Sequence, residues 1–142
     1  MIRSFRENDL SAVMQIWLDT NIKAHNFIPH KYWAENFKSV KDMLPKAEIY
    51  VYENDTTKQI DGFIGFTDHY IEGIFVKESA QSKGIGKQLL DYVKGIKSTM
   101  RLRVYQKNTR AVSFYQREQF LIESENMDHM TNEKEYIMVW NK

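Results

Sequence analysis

Residues 74–90 read Ile74-Phe75-Val76-Lys77-Glu78-Ser79-Ala80-Gln81-Ser82-Lys83-Gly84-Ile85-Gly86-Lys87-Gln88-Leu89-Leu90. The first three are strand formers, the middle is polar and glycine-bearing, and Ile85 and Leu89, followed by Tyr92 or Val93, recur at helical spacing. The stretch is therefore strand, glycine loop, helix. The first turn of a helix carries unpaired N–H groups and the positive end of the dipole, and glycine lets an anion approach the main chain unobstructed by a Cβ. The pattern Gln81-x-x-Gly84-x-Gly86 thus suits a pyrophosphate, with Lys83 and Lys87 adding charge secondary to the amides. It is not a Walker A loop, because Gly86-Lys87 is followed by Gln88 and position 81 is not glycine. Nor is it a dinucleotide fingerprint, since position 89 is Leu rather than the third glycine.

Working outward, Tyr70–Lys77 reads as the strand before the loop, preceded by Ile60–Thr67 and Ile49–Tyr52, with polar Glu53–Gln59 as a hairpin turn. Towards the N-terminus, Ile2–Arg6 is a short strand. Asn8 or Asp9 can cap a helix bearing Leu10, Val13, Met14, Trp17 and Ile22, and Pro29 opens a second, with Trp33, Phe37, Val40 and Leu44 on one face. Beyond the loop, the spacing places Ile85, Leu89, Tyr92 or Val93, and Ile96 inward. Arg101–Tyr105 follows as a strand, Asn108 caps a helix to about Gln119, and Phe120–Glu125 and Glu135–Trp140 end the chain as strands. The order βααβββαβαββ predicts one mixed α/β domain over residues 1–142.

The chain has 142 residues, with 20 Lys+Arg against 19 Asp+Glu, 42% hydrophobic residues and no cysteine. That length suits one core, and a net charge of +1 without a block of one sign is not the footprint of a nucleic-acid binder. Absence of cysteine removes disulfides, thiolate metal sites and thiol nucleophiles. His25 and His30 are five apart, not on one helix face, and no other close His/carboxylate cluster exists, so no metal site is expected. The longest apolar run, Tyr136–Trp140, is far below the ~20 residues of a membrane span, and the N-terminus lacks a signal-peptide core. A cytoplasmic protein without membrane or nucleic-acid partners, monomeric or homodimeric, is the expectation.

Ile74–Leu90, with Gln81-x-x-Gly84-x-Gly86 inside it, resembles the acetyl-coenzyme A motif of the GNAT superfamily of N-acetyltransferases. Val104–Phe120 resembles that family's second motif, an Asn-capped helix with N-x-x-A-x-x-F-Y, here Asn108, Ala111, Phe114 and Tyr115. Gln119 departs from the family, which usually has glycine there. The resemblance implies an α/β fold with a mixed, mostly antiparallel central sheet, helices on both faces and a V-shaped cleft between strands four and five. It assigns the main chain of Gln81, Ser82, Lys83, Gly84, Ile85, Gly86 and Lys87 to the pyrophosphate, Ile74, Phe75 and Val76 to the pantetheine and the reacting carbonyl oxygen, and Asn108 to the far side. Ala24–Ile28, Tyr32-Trp33 and Glu72 are similar to a bacterial subgroup, some of whose members are proposed to acetylate protein lysines.

The activity implied is acetyl transfer from acetyl-CoA, as cosubstrate and without a metal, to a primary amine of a small molecule, peptide or protein. The expected route is direct attack in a ternary complex, and the absence of cysteine rules out a thiol-linked acetyl-enzyme. Tyr115 is the expected general acid for the departing thiolate. Glu72, which by strand alternation shares a face with Tyr70, Ile74 and Val76, is the expected general base. His25, Phe27, Tyr32 and Tyr70 are candidates for the acceptor side. The rival reading is a coenzyme-binding sensor or interaction module without turnover, against which Tyr115 speaks.

Overall fold

A computed structural model describes residues 1–142 and shows one seven-stranded sheet in the order β1-β2-β3-β4-β5-β7-β6. The strands are β1 (Ile2–Ser4), β2 (Glu48–Glu53), β3 (Ile60–Thr67), β4 (Tyr70–Val76), β5 (Thr99–Tyr105), β6 (Leu121–Asp128) and β7 (Glu133–Asn141). The helices are α1 (Leu10–Ala24), α2 (His30–Met43), α3 (Ile85–Lys94) and α4 (Thr109–Arg117). This is the element order expected from the sequence. Every pair of neighbouring strands is antiparallel except β4 with β5, which is parallel because α3 crosses between them.

Helices on both faces explain why β3 is buried almost throughout. Phe63 joins Val13, Met14, Trp17, Trp33 and Val51 under α1 and α2. Its neighbours Ile64 and Phe66 point the other way, into a core with Leu89, Leu90, Val93, Met100 and Met138 beneath α3 and α4. The run Tyr136–Trp140 belongs to β7, an inner strand between β5 and β6.

Three local expectations shift. Pro29 is the N-cap of α2 rather than its first residue. Asp9 sits at the N-cap of α1, but its carboxylate is engaged by the Arg3 guanidinium (2.8 and 3.0 Å) and the Arg6 amide. Ile96 is not inward: α3 stops at Lys94 with Gly95 as C-cap, so the helical phase ends and Ile96 is half exposed.

Candidate active site

The glycine loop joins β4 to α3. Ser82 (φ 63°) and Gly84 (φ 82°) are both left-handed, which turns the chain sharply into the helix. The amides of residues 82–87 have no hydrogen-bond partner in the protein. Unpaired donors at a helix start make an anion cradle, so the loop fits a pyrophosphate by its own geometry. The side chain of Gln81 braces it, its Nε2 donating to the Val76 carbonyl at 2.9 Å.

The cleft beside the loop comes from incomplete strand pairing. β4 and β5 share only Tyr70↔Arg101 and Ile71↔Leu102, after which they separate. The main chain of residues 72–76 has no strand partner on that side, and the gap widens into a cleft of about 890 Å³. Ile74, Phe75 and Val76 line one wall, the loop its end, and Asn108 and Tyr115 of the α4 segment the other wall. Phe75 reaches the opposite sheet face with its ring, stacked on Phe63 at 4.8 Å.

Tyr115 is 8% exposed, lies against Phe120 and has a hydroxyl with no hydrogen-bond partner. Tyr115 lines the cleft, and its oxygen is not fully enclosed. Burial, and then the neighbouring Tyr70, hold the phenol well above its ordinary range, so it stays protonated at neutral pH. Asn108 caps α4, its Oδ1 accepting from the Ala111 amide, while its Nδ2 donates to His25 Nε2 at 3.2 Å. His25 is thereby tied across the cleft wall, and burial lowers its pKa to about 4 against the raising pull of the Asn21 carbonyl.

Behind the cleft, the sheet face that α1 and α2 cover over β2–β4 extends past them onto β5 and β7, and the remaining candidates lie there, with Phe27 and Tyr32 at the edge of the helical cover. Tyr105 donates to Asp128 Oδ2 at 2.6 Å and lies edge-on to Phe27. Buried Glu135 accepts from Asn126 at 2.8 Å. Burial first, then Asp128 and Glu135, push the Tyr32 phenol upward. Tyr70 is pushed up to about 12 by burial and then by Glu72, with Arg103 pulling the other way.

The structure therefore brings Tyr115, Ile74, Phe75, Val76, Gln81, Ser82, Gly84, Ile85, Gly86, Lys87, Asn108 and His25 into one cleft. Phe27, Tyr32, Tyr70, Glu72 and the Lys83 side chain do not line it. The Lys87 ammonium turns to Asp91 and Glu118, so what Lys87 offers the loop is its amide. Strand alternation also fails at Glu72. Phe66 pairs with Ile71 and Gly65 with Gly73, which leaves Glu72 as the extra residue of a bulge. Ile71 and Ile74 consequently pack into the same core, and Glu72 is exposed, accepting from Thr67 Oγ1 at 3.0 Å. Nothing in the sequence singles out Tyr105, Asp128, Glu135 or Arg110 as site residues. The alternation Arg101, Arg103, Tyr105 against Leu102, Val104 was the available sign that one face of β5 is uncovered.

No helix is long and apolar enough to cross a membrane, and no group of three His, Asp or Glu side chains is placed to hold a metal ion. The cleft between partly parted parallel strands, ending in an amide-lined loop, fits the class of acyltransferases that use an acyl-coenzyme A donor, and residues 45–120 match the model of the acetyltransferase (GNAT) domain. The chain belongs to that family. It is an acetyl-CoA-dependent N-acetyltransferase. It is 33% identical to the peptidyl-lysine N-acetyltransferase YiaC of Escherichia coli K12 over 142 residues, 99% of this chain and 96% of that one. It is 28% identical to the peptidyl-lysine N-acetyltransferase YjaB of Salmonella typhimurium LT2, covering 85% and 83% of the two chains. In fold it is similar to the solution structure of apo YjaB from Escherichia coli, with a TM-score of 0.87 at 21% identity over 99% of this chain and 96% of the other.

Proposed function

We propose that residues 1–142 form one acetyltransferase domain that acetylates lysine side chains of peptides or proteins by direct attack in a ternary complex. The observation that carries the chemistry is the hydroxyl of cleft-lining Tyr115, protonated, unpaired within the protein and not fully enclosed. Acetyl-CoA supplies the thioester. The loop amides hold its pyrophosphate, and the edge of β4 left without a β5 partner around Phe75 and Val76 holds the pantetheine and faces the developing oxyanion. The acceptor nitrogen, as a neutral amine, bonds to the acetyl carbon as the C–S bond breaks, Tyr115 gives its proton to the departing sulfur, and the one excess proton on the new amide nitrogen leaves through solvent and restores the Tyr115 phenol. Glu72, exposed at the bulge and close enough to Tyr70 to raise its pKa, accepts the proton of the acceptor ammonium.

Support for a lysine acceptor comes from two directions: the two relatives compared above are peptidyl-lysine N-acetyltransferases, and the sheet beyond α1 and α2 offers Tyr70 and Tyr105, with Tyr32 of α2 and the carboxylates of Asp128 and Glu135 beside them, to an aliphatic ammonium. Thiol release should be measured with lysine peptides, their N-terminal-amine counterparts and small amines. Preference for the lysine side chain is expected, and turnover confined to small amines would overturn it. Tyr115→Phe should lower kcat at least tenfold with coenzyme Kd within about twofold. An unchanged kcat removes Tyr115 as the acid. Glu72→Gln should cut kcat/KM for the acceptor about tenfold, and a wild-type value removes it as the base.

A further inference from the structure

Arg110, the second residue of α4, reaches across the mouth of the cleft. Its Nη1 donates to Gln81 Oε1 at 3.0 Å and its Nη2 to Ser82 Oγ at 3.3 Å. Gln81 is anchored from behind by the Val76 carbonyl, so the guanidinium is held directly beside the loop whose amides are unpaired. The charge state of its surroundings sets it apart. Among the cations lining the cleft, Lys23 pairs with Glu78, Lys87 with Asp91 and Glu118, and Lys107 with Glu133. Arg110 has no carboxylate partner, and its two acceptors are neutral oxygens. Arg117, also without a carboxylate, sits in the last turn of α4 and does not touch the loop.

A guanidinium held by neutral acceptors beside a row of free amides is poised to exchange those acceptors for anionic oxygens, because charge-assisted bidentate bonds to phosphate are stronger than bonds to an amide or hydroxyl oxygen. We propose that Arg110 is a side-chain ligand of the coenzyme pyrophosphate, leaving Gln81 and Ser82 to clamp the phosphates from the α4 side while the loop amides hold them from the α3 side. The pyrophosphate is the anion concerned because the guanidinium touches the first residues of the amide-lined turn itself. The 3′-phosphate is separated from that turn by the ribose.

The test is calorimetric titration of the wild-type, Arg110→Gln and Arg110→Lys proteins with CoA and with 3′-dephospho-CoA, with salt varied. Arg110→Gln should weaken both ligands by the same factor, tenfold or more on the order expected for a hydrogen bond to a charged group, and flatten the salt dependence of each. Arg110→Lys, which keeps the charge and loses the fork, should fall between wild type and Arg110→Gln. In turnover, the loss should fall on the KM for acetyl-CoA more heavily than on kcat. Unchanged Kd values in Arg110→Gln would overturn the proposal. A loss seen with CoA and absent with 3′-dephospho-CoA would equally overturn it, by moving Arg110 to the 3′-phosphate.

Discussion

The imidazole of His25 is stacked on Trp33 at 5.3 Å, edge-on to Tyr105 and Phe27, and accepts from Asn108 through Nε2. Accepting that bond requires a neutral ring, and burial enforces it by lowering the pKa to about 4. The folded state therefore binds this proton less readily than the unfolded chain, whose histidine titrates near 6.5. Stability from this residue is complete above about pH 6.5, is lost as pH falls towards 4, and changes no further below that. His25→Gln, which keeps an acceptor and cannot titrate, should gain on wild type by up to about 3 kcal/mol across this window in urea unfolding. Parallel curves for the two proteins would show that His25 is not held neutral. A lone histidine at a helix end carries no sign in the sequence of such a partner, because Asn108 lies 83 residues away. Arg110 was hidden for a similar reason: an arginine in a first helical turn reads as a solvated charge until the fold sets it against Gln81.

At the scale of elements, α4 was read almost entirely from its cap and periodicity, and its end explains how Tyr115 is held. Gln119 is left-handed at φ 76°, the Gln119 amide bonds the Gln116 carbonyl at 3.2 Å, and the Phe120 amide bonds the Tyr115 carbonyl at 2.9 Å. This is a Schellman ending, with the usual apolar contact between Phe120 and Tyr115, and glycine is the residue it favours. Gln119→Gly should raise stability by about 0.5–1 kcal/mol in denaturant unfolding, and a fall would mean that the Gln119 side chain stabilises the turn by more than its backbone strain costs. The bulge in β4 was not readable, because an extra strand residue leaves the run of residue types unchanged and shows itself only in the pairing with β3. That single insertion is what makes alternation misplace Glu72 while leaving the strand boundaries right. The main chain of the glycine loop, by contrast, is readable, since positive φ at Gly84 and free helix-start amides are properties local to a few residues, whereas its side-chain surroundings, with Lys87 turned to Asp91 and Glu118, are not.

At the scale of the whole molecule, two half-sheets, β1–β4 and β5–β7–β6, are paired as strands at only two positions, while the core beneath α3 and α4 spans both through Ile64, Phe66, Met100 and Met138. Elsewhere along the seam the cleft separates them, so a ligand seated there touches both halves and binds the folded state alone. Acetyl-CoA at 100 times its Kd should stabilise the fold by about 2.7 kcal/mol, a rise in Tm of roughly 5–10 °C for a chain of this size. A melting temperature independent of acetyl-CoA would contradict a preformed coenzyme cleft across the seam. Without a ligand, the β4 and β5 segments beyond those two pairs have no strand partner across the seam, so local fraying that exposes them to proteases is expected there first. Where cleavage follows the population of that open form, the chain's survival tracks the supply of coenzyme around it, and a cell short of acetyl-CoA and CoA would clear this transferase faster than one that is replete.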